Sequence, residues 1–278
     1  MTSLVKLEWL KLKGNRFFWI GLGLFLTLMV LLLVYFGDIN VFGQSSKNEE
    51  GAEANMLERS FGEAGLYNLP HIWQNLAYLA GFFKFIPAFI LIFFVANEFQ
   101  YRTLRQNIID GLSEWQFFLS KFFGLLIILG ISIGAIGLTI VILALQNNDL
   151  SEVSLWASSE YLLALFVEYL LYMSFCFFIV FLVKRSAISI IIVLLYYLLI
   201  EQIAIGLLKA NGLGLWEYLP MSPGRELILQ PFTRMLDIDM LTGRVSPVAV
   251  EMKYVWLSTL YSLIYLVGSW LLLKKRDL

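Results

Sequence analysis

Residues 115–145 read WQFFLSKFFGLLIILGISIGAIGLTIVILAL and hold a single charge, Lys121. A bilayer core about 30 Å thick is crossed by about 20 helical residues, so this stretch is long enough to span it with residues to spare. Its excess length places its start in the membrane interface or tilts the helix. Working outward, the same pattern recurs at Phe17–Phe36, Leu76–Ala96, Tyr161–Val183, Ala187–Leu208 and Tyr254–Leu273. Six such runs predict an all-α integral membrane protein with six spans in a single transmembrane domain over residues 1–278.

The composition agrees. Of 278 residues, 59% are hydrophobic and only 15% charged, too little charge for a soluble chain of this size. The one cysteine, Cys176, sits inside an apolar run, so no disulfide framework is expected. One histidine, His71, excludes a site that needs several imidazoles. No Gly-x-x-x-x-Gly-Lys phosphate loop is present, so the chain is not expected to hydrolyse ATP itself. The basic start, Lys6, Lys11, Lys13 and Arg16, imitates a signal peptide. The apolar run after it is too long for one and ends without a small-residue cleavage site, so it reads as an uncleaved first span.

Basic residues set the expected orientation. They gather in positions 1–16, at Arg102, Arg105 and Lys121, at Lys184 and Arg185, and at Lys274, Lys275 and Arg276. The short connection Gln146–Glu160 has none. The positive-inside rule then puts both termini in the cytoplasm. Segments 37–75 and 209–253 become extracytoplasmic. The first is polar at Gly43–Glu50 and reads as a mobile external loop. The second mixes Leu215, Trp216, Tyr218, Leu227 and Ile228 with Pro220, Pro223, Gly224 and Pro231. It reads either as short amphipathic helices, dipping in as a re-entrant hairpin, or as a packed loop.

Three ionisable residues lie inside spans: Lys84, Glu168 and Glu201, with Gln202 beside the last. At about 1.5 Å rise per residue, Lys84 lies roughly 12 Å deep, and Glu168 and Glu201 roughly 10 Å deep, so all three can share one level. Intramembrane charges face a bundle interior or a wet cavity. A helix-fixing Lys–Glu pair and a substrate or ion pathway both fit, and either glutamate can be the partner of Lys84. Pro87, one turn beyond Lys84, is read as a tolerated membrane proline, with a kink as the alternative. Gly130 and Gly134 fit a small-x-x-x-small pattern, expected to serve packing within the chain rather than a dimer seam. Residues 1–16 are expected to form an interfacial helix, Val5, Trp9 and Leu12 on one face and Lys6 and Lys13 on another.

Between spans two and three, Tyr101–Ile109 can form a small helix with Leu104 and Ile108 on one face. Asp110-Gly111 breaks it, and Ser113-x-x-Gln116 is a capping box that opens the next helix. So short a helix is stable only against a partner or the membrane surface. In Asn97-Glu98-Phe-Gln-Tyr-Arg-Thr103 and Ser113-Glu114-Trp-Gln-Phe-Phe-Leu-Ser-Lys121, the chain resembles the permease subunits of ABC-2 type transporters. In those, an acid ends span two, Thr and Ser-Arg follow, and a Lys opens span three. Arg102 stands here where the family has Gly, and Glu114 where it has Arg.

The resemblance covers nearly the whole chain. It implies an N-terminal interfacial helix, a cytoplasmic coupling helix within 99–112, and short outer helices before the last span. Glu98, Arg102, Thr103, Leu104, Arg105, Ile108, Ser113 and Lys121 would couple the permease to an ATPase. The implied complex pairs this chain with a second permease, identical or related, and with two cytoplasmic ATPase subunits that hold ATP and Mg. The expected location is a bacterial inner membrane in contact with lipid. No cofactor in this chain and no nucleic-acid partner are expected. The competing readings are a stand-alone secondary transporter using Lys84, Glu168 and Glu201, disfavoured by the lack of an inverted repeat, and an intramembrane enzyme, disfavoured by the lack of a metal-ligand motif.

Overall fold

A computed structural model describes residues 2–35, 67, 69–101, 106, 111–148, 154–231 and 249–275. Among these there are helices and turns and no strand. The elements are α1 (Thr2–Gly14), α2 (Arg16–Tyr35), α3 (Ile72–Gly81), α4 (Phe85–Gln100), α5 (Glu114–Asn147), α6 (Glu160–Val183), α7 (Ser186–Leu195), α8 (Glu201–Ala210), α9 (Ser222–Glu226) and α10 (Met252–Lys274). A 3-10 turn, Phe82–Lys84, joins α3 to α4, and a π turn, Tyr196–Ile200, joins α7 to α8. Six helical runs are long and apolar enough to cross a membrane: Arg16–Leu33, Ile72–Gln100, Glu114–Asn147, Glu160–Val183, Ser186–Ala210 and Met252–Lys274. The polar stretch 43–50 and the coupling residues Arg102, Thr103, Leu104, Arg105 and Ile108 lie outside the described residues.

Local chemistry sets the helix ends. Ser113 and Gln116 form the capping box at the start of α5: Gln116 N–H donates to Ser113 Oγ at 3.2 Å, and Ser113 N–H to Gln116 Oε1 at 3.0 Å. Lys184 takes a left-handed conformation, φ 59°, which stops α6 and turns the chain into α7 within two residues. Pro87 has no N–H for the carbonyl of Phe83, and the helix tightens into the 3-10 turn just ahead of it. The span continues through Pro87 as one helical run, Ile72–Gln100.

Burial sorts the helices. In the most apolar stretch of each span, 67% is buried in both Ile72–Gln100 and α6, against 28% in α2, 17% in Ser186–Ala210 and 22% in α10. The central pair is thus spans two and four, and α6 packs against α3, α4, α5, α7 and α10. Lipid tails are as apolar as Leu, so close packing rather than a hydrophobic driving force joins these helices. A Cβ added at Gly124 would lie 2.8 Å from the Phe94 ring, and one at Gly137 3.2 Å from Leu162. Gly130 and Gly134 face outward with nothing within 4 Å, so the expected intrachain packing falls to Gly124 and Gly137 instead.

The end of α4, the start of α5, the α6–α7 turn, α1 and the end of α10 belong to one end of the bundle, where Lys11 meets Glu98, Gln100 meets Ser186, and Trp115 of α5 meets Trp270 of α10 with ring centroids 4.8 Å apart. This is the basic end. The opposite, far end carries α9 and the start of α6.

Candidate functional site

Two buried ionic clusters stand at opposite ends of the bundle. At the basic end the ammonium of Lys121, on the third turn of α5, is fully buried. It donates to both carboxylate oxygens of Glu8, at 3.0 and 2.9 Å, and to Glu98 Oε1 at 2.6 Å. Lys11 Nζ reaches the same Glu98 oxygen at 3.0 Å. Two cations thus neutralise two carboxylates, and the rings of Phe94 and Phe117 lie 4.4 and 5.6 Å from the Lys121 ammonium. Buried charges survive in this way only when paired and hydrogen-bonded. Glu98 and Lys121, singled out by the sequence, are brought together, and Ser113 caps α5 between them.

Glu8 is the partner that sequence reasoning missed. It lies on the buried face of α1 with Leu12, both 0% exposed, whereas Trp9, expected on that face, is 38% exposed. The buried ammonium of Lys121 requires an anion, and that requirement outranks the burial of an indole. Glu8 is the sole acid before Asp38, which is the signal that pointed to it.

In the far half, Lys84 Nζ contacts Glu168 Oε1 at 2.5 Å. The open choice of partner for Lys84 thus falls to Glu168. Glu201 takes a different partner: Arg225 Nη2 lies 3.3 Å from its Oε2, and Met221 N–H donates to its Oε1 at 2.7 Å. The π turn offers the Tyr197 carbonyl to the same Arg225 nitrogen at 2.7 Å. The Tyr197 ring links the two pairs, with Lys84 Nζ 4.8 Å and Arg225 Cζ 4.1 Å from its centroid. Gln202, next to Glu201, does not join the cluster: about 100° of helical rotation turns it outward, and it is exposed.

Arg225 and Tyr197 were not anticipated. An arginine in the mostly apolar run Leu219–Leu229, where Glu226 is the other charge, was the available signal. That run enters the bundle. Met221, Leu227 and Ile228 are buried, a Cβ on Gly224 would meet Leu171 at 3.0 Å and Glu168 Cγ at 3.7 Å, and the Leu229 carbonyl accepts from Gln74 at 3.1 Å. The contact with Glu168 lies about 12 Å along α6 from its far-end start; residues 232–248 of the segment 209–253 lie outside the described residues. Outside the spans, burial raises the Glu226 carboxyl above the usual carboxylate range; Lys209 opposes this, and Glu217 and Glu251 add to it.

Nothing in either cluster resembles a hydrolytic centre, and among the described residues no three His, Cys, Asp or Glu side chains could jointly hold a metal ion. The arrangement can join helices rigidly and position charge inside the bundle. The family model described as ABC-2 family transporter protein matches residues 4–200, from α1 to the end of the π turn. That range includes Glu8, Lys84, Glu98, Lys121 and Glu168, and stops before Glu201 and Arg225. No curated protein matches the chain. With well over half of its length matched, and with six candidate spans, the chain belongs to the ABC-2 family as a multi-pass membrane component of a transporter.

Proposed function

We propose that this chain is the permease of an ATP-driven exporter, energised through the segment between α4 and α5 by ATPase subunits that it does not contain. Members of the family generally pair with an ABC ATPase, and their membrane components normally lack catalytic activity. The observation that carries the reading is the tie at the two roots of that segment. Glu98 ends α4, Lys121 stands eight residues into α5, and both are bonded to α1 through Glu8 and Lys11. A push on residues 99–112 would therefore reach α1, α4 and α5 together rather than being lost in a slack loop.

Two copies of the ATPase would bind ATP and Mg in the cytoplasm, and a second permease chain would complete the pathway. With both termini cytoplasmic, α1 lies at the inner interface and Leu219–Leu229 at the outer exit. The apolar character of that run supports an amphipathic or hydrophobic substrate moving outward. Nucleotide acts at a remote site and biases a two-state bundle.

The test is co-purification with an ATP-binding-cassette subunit, followed by ATPase and transport assays in proteoliposomes. Replacing Leu104, Arg105 and Ile108 with Ala should leave insertion intact while abolishing transport and stimulated ATPase activity. Gradient-driven transport with no ATPase present, or full activity in the triple variant, would overturn the reading.

A further inference from the structure

Along α1 two stripes run on separate faces. Glu8 and Leu12, with half-buried Val5 beside them, point into the bundle. Lys6, Trp9, Leu10 and Lys13, spaced i, i+3, i+4, i+7, point out of it, with Leu10 59% and Trp9 38% exposed. That spacing is one continuous helical face. Arg16 follows, exposed, across the break at Asn15. The corner is held by the Trp19 indole, which donates to the Lys13 carbonyl at 2.8 Å, and by Phe17 N–H, which donates to Asn15 Oδ1 at 2.9 Å.

The charge of this face follows from the buried cluster. The one acid of the first 37 residues, Glu8, is turned inward and neutralised by Lys121. Lys11 is spent on Glu98. Among the described residues no carboxylate pairs with Lys6, Lys13 or Arg16. The outward face is therefore uniformly cationic, with an exposed indole and an exposed leucine set between its lysines.

We propose that this face of α1 is a binding surface for anionic lipid, the Lys6, Lys13 and Arg16 side chains engaging headgroup phosphates while Trp9 and Leu10 enter the acyl boundary. A cationic stripe interleaved with Trp and Leu is the composition that lies in a bilayer interface and selects anionic headgroups. An acidic protein surface would satisfy the lysines but leave Leu10 without an apolar environment. Since α1 leads into the first span across a single residue, the membrane surface is within its reach. This inference does not depend on the transport reading.

The experiment exchanges the purified chain into nanodiscs of equimolar phosphatidylglycerol and phosphatidylcholine and measures retained lipid by native mass spectrometry. The wild type should retain phosphatidylglycerol preferentially, and the preference should fall as salt rises. At about fivefold per cation near an anionic surface, the K6Q/K13Q/R16Q variant should lose most of it, while K6R/K13R keeps it. The altered side chains are exposed, so monodisperse elution of the variant is expected and shows that loss of lipid is not loss of fold. Equal retention of the two lipids by the wild type would overturn the proposal and leave the stripe to a protein partner. An undiminished preference in the triple glutamine variant would overturn it equally.

Discussion

Lys121 shows how a single buried charge organises its surroundings. Its ammonium ties the fully buried Glu8 to Glu98, so removing it strands the Glu8 carboxylate in the interior and leaves Glu98 to Lys11 alone. Breaking a buried pair from one side costs about 3–5 kcal/mol. Lys121→Met should therefore lower thermal stability in detergent markedly, and adding Glu8→Gln and Glu98→Gln to it should restore much of the loss. A triple variant no more stable than the single one would show that Lys121 acts through its stem rather than its charge. At this scale the sequence was half legible. Helical rise predicted a common depth for Lys84, Glu168 and Glu201, because depth is a linear function of position. The partner depends on rotation and on which helices are neighbours, and neither is linear in the chain. Arg225 was harder still, since it comes from a segment whose entry into the bundle is a tertiary fact.

At the scale of elements, the apolar runs and the Ser113 capping box are local, and they were readable. The inward face of α1 was not, because an apolar pattern groups Trp9 with Val5 and Leu12 and takes no account of the buried cation in α5. The glycines of α5 make the same point. Gly124 and Gly130 are equivalent by sequence, yet only Gly124 lies under a ring. Gly124→Val must displace Phe94 and should destabilise the chain by about 1–3 kcal/mol, the usual cost of overpacking. Gly130→Val meets open space and should leave the unfolding temperature of the monomer nearly unchanged. Equal effects of the two substitutions in thermal unfolding would refute the assigned packing. The π turn in span five is the counterpart of these close approaches: its wide ring gives up a regular helix bond, and Arg225 collects the Tyr197 carbonyl that results.

For the whole molecule, the sequence disclosed six candidate spans but not which of them are central. Spans four and five are apolar to the same degree, yet 67% of one is buried and 17% of the other. In lipid, a helix facing its neighbours and a helix facing acyl chains need the same side chains, so composition does not separate them. The run Leu219–Leu229 joins the two classes, fastened to peripheral span five by Arg225 and Met221 and lying against central span four at Gly224. Arg225→Gln should loosen it. With a cysteine at position 221, whose native Met is 2% exposed, thiol labelling in detergent should accelerate about tenfold in that background, the equivalent of one lost charge-assisted bond. Identical labelling rates would mean that packing alone holds the segment.

The length of α5 has a mechanical corollary. Its 34 residues make a rod of about 51 Å, against a hydrocarbon slab of about 30 Å. Even at a 40° tilt, about 9 Å of it stands clear of the slab. Were such a rod to pivot at mid-bilayer, like an oar in its rowlock, a swing of 10° would carry each tip sideways by about 4 Å, so that modest work at one blade would be felt at the other.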